Sequence, residues 1–134
     1  MIIAQNEIAV TRFFDENNLL VSEYKGRVKI ELVIEHLSKI IDFYKASSNK
    51  QFRSVVDVSM VLGSFAKVFA FLDDEYYPIA AKCGLSCQAY VASDDLIIKN
   101  LSARLEIMAS KFNIKSNVFH SWEEAKIWAT SQSL

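Results

Sequence analysis

Arg53-Ser-Val-Val-Asp-Val-Ser-Met-Val-Leu62 is the stretch that decides the fold. Its centre, Val55 to Val58, is a short run rich in β-branched residues, a pattern typical of a strand that is buried on both faces. Asp57 falls near the C-terminal end of this strand, where open α/β sheets usually place their sites. The stretch therefore predicts the central strand of an α/β sheet with helices on each side.

The sequence before this strand predicts two strands and a helix. Residues 8 to 14 and 19 to 25 are both strand-like, and the four polar turn formers Asp15-Glu-Asn-Asn18 between them predict an antiparallel hairpin. Apolar residues then recur at helical spacing from Ile30 to Lys45, with charged residues opposite. His36 lies off this apolar stripe, so we expect it at the surface.

After the central strand, helical and strand patterns alternate. Strands are predicted at 87–92 and 116–120, and helices at 64–72, 78–84, 94–112 and from the capping box Ser121-Trp-Glu-Glu124 onward. A hairpin followed by such alternation implies parallel neighbours. We therefore predict an α/β fold in which helices flank a mixed four- to five-stranded sheet, with residues 1–134 forming a single domain.

Composition and charge argue against several functions. The chain has 134 residues and a formal net charge of −1, with basic and acidic residues interspersed. No basic stripe is available to neutralise phosphates, so we expect no nucleic-acid partner. The first residues lack a signal-peptide pattern, and no apolar run approaches membrane-spanning length. We therefore expect a cytoplasmic protein without a membrane span.

No catalytic constellation stands out. Cys83 and Cys87 are separated by three residues and so do not form a Cys-x-x-Cys redox pair. A metal site would need His36 or His120 to join them, and nothing in the local sequence places either there. A reactive pair of Cys87 and His120 from adjacent strands has no further support in the sequence. We expect no enzymatic activity, no cofactor and no metal site.

The segment from Ser64 to Leu72 has an unusual excess of phenylalanine. Phe65 and Phe69 share one helical face, and Ser64 is a candidate N-cap. Phe71 would lie on the other side, among charged residues. Either a neighbouring segment covers Phe71, or it belongs to an exposed apolar patch for a partner, a subunit or a lipid.

Asp57 is a candidate phosphoacceptor because a carboxylate that ends a central strand can accept a phosphoryl group. A response-regulator receiver, however, needs a helix between its first two strands, and Asp15 to Asn18 has room only for a turn. Asp57 could instead accept backbone hydrogen bonds where the strand ends.

Four features together resemble the SpoIIAA-like branch of the STAS superfamily, which includes small bacterial proteins. These are the hairpin, the Tyr24-Lys25-Gly26 exit into a helix, the Val55-Val-Asp-Val-Ser59 strand and the closing Phe119-His-Ser-Trp-Glu-Glu-Ala-Lys-Ile-Trp128. The likeness spans residues 20 to 130. It implies a four- to five-stranded mixed sheet flanked by helices, and usually no enzymatic activity.

The resemblance implies two modes of action. Anti-sigma-factor antagonists of this superfamily bind a partner kinase and are controlled by phosphorylation of a serine in an Asp-Ser-Ser-Gly segment. The matching segment here, Phe65-Ala-Lys-Val68, lacks that serine, although Ser59 and Ser64 lie nearby. Other SpoIIAA-like proteins resemble lipid-exchange domains in fold and are suspected of binding lipids or small apolar ligands.

Our hypothesis is a non-enzymatic domain that binds a protein partner or a small apolar ligand, or forms a homodimer, and it includes a regulatory role. The alternative is a phosphorylation-controlled signalling protein with its acceptor near the end of the central strand. The residues predicted for binding lie at that strand end and in the segment after it: Asp57, Ser59, Ser64, Phe65, Phe69, Phe71, Tyr76 and Tyr77.

Overall fold

The computed structural model of the protein describes residues 1–47, 50–63 and 66–133. Ser64 and Phe65, two residues of the predicted binding set, lie outside the described residues. The strands within the described part are β1 Ile2–Gln5, β2 Ala9–Phe14, β3 Leu19–Arg27, β4 Phe52–Leu62, β5 Leu85–Val91 and β6 Lys115–Phe119. The helices there are α1 Ile30–Ala46, α2 Ala66–Phe71, α3 Tyr77–Lys82, α4 Asp95–Phe112 and α5 Trp122–Ser131, and a π-helical turn, Leu72–Tyr76, joins α2 to α3.

The six strands of the described residues form one mixed sheet, in the order β1-β2-β3-β4-β5-β6. The β1–β2 and β2–β3 pairs are antiparallel, and the pairs from β3 to β6 are parallel. The structure confirms the predicted α/β class, with an N-terminal hairpin followed by alternating helices and strands. The predicted count of four to five strands is wrong, because β1 adds a sixth at the edge of the sheet.

A turn centred on Asn6 explains the extra strand. The Asn6 side-chain oxygen accepts hydrogen bonds from the backbone N–H groups of Ile8 and Ala9, at 3.0 and 3.2 Å. Its amide nitrogen donates to the carbonyl of Leu32 in α1, at 2.8 Å. Asparagine side chains commonly close such turns. This turn reverses the chain so that β1 pairs with β2, and it ties the reversal to the first helix.

The two faces of the sheet carry unequal layers of helix. Helices α1 to α4 cover one face, here called the first face, where Val56 and Val58 of the central strand β4 belong to the larger core cluster. Helix α5 covers the opposite face, where Val55 packs with Ala125 and other small or branched side chains. The alternation along β4 places successive residues on opposite faces, as the sequence predicts for a strand buried on both sides.

His36 is buried rather than exposed at the surface. Its Nε2 atom lies 2.7 Å from the hydroxyl of Thr11, which lies 2.7 Å from the hydroxyl of Ser22. The ring of Tyr24 meets the imidazole edge-on. Among the described residues the Nδ1 atom has no hydrogen-bond partner. Burial lowers the pKa of His36 to about 4, because the charged form would lose its hydration.

The burial of His36 predicts a loss of stability in mild acid. Between pH 6.5 and about 4 the unfolded chain holds a proton on this histidine that the folded chain does not, so unfolding is favoured as the pH falls through this window. At about 1.4 kcal/mol per pKa unit, the free energy of unfolding should fall by roughly 3 kcal/mol. Urea denaturation at a series of pH values measures this slope.

Two variants isolate the contribution of His36. His36→Gln should flatten the slope between pH 6.5 and 4, whatever its effect on stability at neutral pH. His120→Gln, at a histidine whose side chain is 64% exposed, is the matched control and should leave the slope unchanged. An identical slope in wild type and His36→Gln would show that other groups cause the acid sensitivity.

Candidate ligand-binding site

A cavity of about 40 Å³ lies between the first face of the sheet and the helices above it. Its apolar wall combines side chains from β3, β4, α1, α2 and α4, including Leu20, Val56, Leu37, Val68 and Leu101. A space this large holds more than one water-sized group. Polar side chains from β3, β4, β5, α1, α3 and the π-helical turn also line the cavity: Ser22, Tyr24, Tyr44, Ser54, Tyr76, Tyr77, Gln88 and Tyr90.

Gln88 is the centre of the polar lining. Strand alternation in β5 places Gln88 and Tyr90 on the first face, while Cys87 and Ala89 point to the other. The Tyr77 hydroxyl, from the first residue of α3, donates to the Gln88 side-chain oxygen at 2.7 Å. Tyr90 lies 2.8 Å from the same hydroxyl. Since the Tyr77 proton is used on Gln88, Tyr90 is the donor in this second contact.

Two further polar contacts in the cavity are long. The Gln88 amide nitrogen lies 3.4 Å from the Ser54 hydroxyl, and the hydroxyls of Tyr76 and Tyr44 are also 3.4 Å apart. Good hydrogen bonds between such groups are about 3.2 Å or shorter. These groups therefore retain part of their hydrogen-bonding capacity for another molecule.

The lining of the cavity is electrically neutral. It is made of aliphatic, aromatic, hydroxyl and amide side chains, with no Asp, Glu, Lys or Arg among the described residues that line it. Burial raises the pKa of Tyr90 to about 12 and raises the pKa of Tyr44, Tyr76 and Tyr77 well above its usual value. These phenols therefore remain protonated at physiological pH and act as neutral O–H groups.

A larger groove, of about 790 Å³, lies beside the cavity between the end of β4, α2 and α4. Val58, Phe69 and Leu101 line both spaces, so they form the wall that the two share. The remaining lining is mostly apolar, with polar atoms from two α4 residues. It consists of Val61, Gly63, Ala70, Ile97, Asn100, Ala103 and Arg104.

Arg104 lies at the rim of the groove. Its guanidinium lies 4.8 Å from the centre of the Phe69 ring, a cation–π contact. The same group donates a 2.6 Å hydrogen bond to the carboxylate of Asp73, in the π-helical turn. The hydrogen bond to Asp73 connects α4 to the segment between α2 and α3. The cation–π contact positions the Phe69 ring at the wall between groove and cavity.

The structure separates the predicted binding residues into two groups. Phe69, Tyr76 and Tyr77 line the cavity, and both tyrosines are buried, each 3% exposed, instead of forming part of an outer surface. Asp57 and Ser59 line neither the cavity nor the groove. The Asp57 carboxylate accepts hydrogen bonds from the Ser59 backbone N–H at 2.9 Å and from its hydroxyl at 2.6 Å.

Several residues of this site were missed from the sequence. Polar atoms in the cavity come from Tyr44, Ser54, Gln88 and Tyr90. Arg104 lies at the rim of the neighbouring groove. The alternation of Gln88-Ala89-Tyr90 in a buried strand was the available signal, because it places two polar side chains on one covered face. Arg104 carries no such signal, since its partners come from distant segments.

Cys87 and His120 are not brought together. Cys87 is buried against α5, its Sγ 3.7 Å from the Ala129 carbonyl, and burial raises the pKa of this thiol. In the register of β5 and β6, Cys87 lies opposite Lys115, five residues before His120. The arrangement provides no thiolate–imidazole pair.

No family model matches the sequence, and no curated protein matches it significantly. Among solved structures, the chain resembles an uncharacterised protein of the DUF3478 family from Shewanella loihica PV-4, which is described as having a SpoIIAA-like fold. The match covers 94% of this chain and 98% of the other, with a TM-score of 0.58 and 10% sequence identity. The fold of this chain is SpoIIAA-like.

The SpoIIAA-like resemblance predicted from the sequence is therefore confirmed at the level of the fold. At 10% identity the likeness concerns the fold alone and transfers no ligand or partner. In the part of the chain that the structure describes, no helix is both long and apolar enough to cross a membrane.

Phe71 gives a direct test of which residues of the Phe-rich segment belong to the core. Its side chain is half-buried and packs against the main core cluster. Phe71→Asp should lower the free energy of unfolding by about 1–3 kcal/mol, because it removes apolar contacts and brings a carboxylate against them. Urea denaturation at neutral pH measures the loss.

Ile127→Asp is the matched control, since Ile127 is a large apolar residue that is 69% exposed. It should change the free energy of unfolding by less than about 0.5 kcal/mol. If the two variants are equally stable, Phe71 belongs to the surface and not to the core.

Proposed function

We propose that this protein acts without catalysis by binding a small, mostly apolar ligand along the groove, with one end of the ligand in the cavity. The observation that carries the proposal is the wall shared by the two spaces, formed by Val58, Phe69 and Leu101. Small-molecule sites are typically concave and apolar, with volumes of about 300–1,000 Å³ and a few convergent polar groups. The groove and the cavity together have these properties.

The position of the cavity, between the sheet and the helices, favours a small molecule over a protein partner. A protein surface could cover the groove, but it could not readily reach polar groups that line a cavity between the sheet and the helices. A flexible apolar chain could do so, and each buried methylene would contribute roughly 0.8 kcal/mol. About eight such groups would contribute ~6 kcal/mol before the entropy costs of binding are subtracted.

In the proposed binding mode, the Phe69 side chain moves aside so that the ligand passes from the groove into the cavity. The ring lies under the Arg104 guanidinium, which Asp73 holds from the other side. Rotation of Phe69, together with Arg104, would widen the passage past Val58 and Leu101, the other two residues of the shared wall. This supports a binding domain whose entrance is local to α2 and α4.

A substitution that fills the groove tests the proposal. Ala103 is exposed and lines the groove, so Ala103→Trp should occupy the ligand's position without disturbing the core. The dissociation constant for N-phenyl-1-naphthylamine, a neutral apolar fluorophore, should rise about tenfold or more, which corresponds to ~1.4 kcal/mol. Fluorescence titration measures the change.

Ser102→Trp is the matched control, because Ser102 is the exposed neighbour on the same helix and does not line the groove. It should leave the dissociation constant within about twofold of wild type. If neither variant weakens binding, or if the wild-type protein binds no fluorophore, the groove is not the ligand site.

Native mass spectrometry of the protein purified from its host gives an independent test. Extra mass that is lost on denaturation would support a bound ligand and identify its class. The alternative hypothesis, phosphorylation at Asp57, Ser59 or Ser64, stays a prediction, and extra mass of one phosphate group would support it. A dimer without extra mass would instead favour self-association.

A further inference from the structure

We propose that the end of the ligand in the cavity is a neutral hydrogen-bonding group, such as a hydroxyl, received by the Gln88 amide and the Ser54 hydroxyl. The inference rests on the proposed function and names the class of its ligand, a neutral amphiphile with an apolar chain. The site should bind such molecules in preference to carboxylates and ammonium ions that carry the same chain.

Gln88 and Ser54 can each form a further hydrogen bond. Gln88 is 2% exposed and Ser54 is 3% exposed, so bulk water does not satisfy them. A side-chain amide has two N–H donors, and the contact from the Gln88 nitrogen to Ser54 is long, at 3.4 Å. A ligand oxygen beside both groups, at about 3 Å from each, would accept from the amide and exchange a hydrogen bond with the serine hydroxyl. Buried polar groups gain most from such completion.

The two phenols closest to Gln88 already use their donors. The Tyr77 hydroxyl gives its proton to the Gln88 oxygen, and Tyr90 gives its proton to Tyr77. A carboxylate beside Gln88 would therefore find no free donor on Tyr77 or Tyr90, and no side-chain cation from the described residues lines the cavity. Burying an anion without a partner costs several kcal/mol, and an ammonium ion would lack a carboxylate in the same way.

The opposite orientation of the ligand makes a different prediction. A charged head group at the rim would meet Arg104, whose guanidinium is bound to Asp73, and its chain would enter the polar cavity. That arrangement would bring hydrocarbon against Gln88 and Ser54 and leave their capacity unused. It would favour octanoate over the neutral amphiphile, so the preference among end groups separates the two orientations.

Octan-1-ol, octanoate and octylammonium, measured at pH 7.5 by displacement of N-phenyl-1-naphthylamine, test the inference in the wild-type protein. Octan-1-ol should bind at least about tenfold more tightly than either ion, a difference of ~1.4 kcal/mol. Gln88→Leu should raise the dissociation constant for octan-1-ol about fivefold or more. It should also reduce the difference in affinity between octan-1-ol and the two ions. Leu62→Gln, at a residue that is 64% exposed and lines neither space, is the control and should change nothing.

Each outcome bears on a different claim. Equal affinity for the three probes would overturn the inference and leave the proposed function standing. Tighter binding of octanoate would also overturn it and place a charged head group at the rim. Absence of displacement by all three would contradict the proposed function together with the inference. If Gln88→Leu fails to fold, the order of the wild-type affinities for the three probes still tests the inference.

Discussion

The burial of strand β4 on both faces is the constraint on which the rest of the structure depends. Val55 is fully buried against the α5 side and Val56 is buried on the other. Because β3 to β6 are parallel and adjacent in chain order, every step between them needs a crossover in the same direction. Crossovers are right-handed in nearly all proteins, so such helices lie on one face. Only a helix after the last strand is free to cover the other face, and α5 does so.

This division concentrates polar side chains under the larger layer. Thr11 pairs with Ser22, and Ser54 pairs with Gln88, so four neighbouring strands each place a polar residue on the face that α1 to α4 cover. Burying these groups lowers stability unless every partner is supplied. An apolar residue in place of Gln88 would avoid the cost in stability of burying a polar side chain. This cost supports the proposed ligand site, in which the polar side chains would bind part of the ligand.

The sequence predicts the elements better than their mutual placement. The hairpin, the central strand and the cap at Ser121 follow from local signals that the structure preserves. Strand β1 was missed because one residue, Asn6, makes its turn. His36 was misplaced because its burial depends on β2 and β3 packing beside α1, which the helical periodicity of α1 alone does not reveal. The cavity depends on strand register, since a slip of one residue would move Gln88 to the other face.

The contact between Arg104 and Asp73, at the rim of the groove, is one that the protein can break with little loss of stability. Arg104 and Asp73 are 39% and 30% exposed, and such partly exposed ion pairs contribute about 1 kcal/mol or less. Separating them leaves both charges in contact with water, whereas opening the opposite wall would expose core residues such as Tyr44 and Phe52. The π-helical turn carrying Asp73 is a local departure from regular helix, a feature frequent at functional sites. In the proposed function, a weak and exposed ion pair beside a neutral, buried cavity would allow a ligand to enter without local unfolding of the sheet.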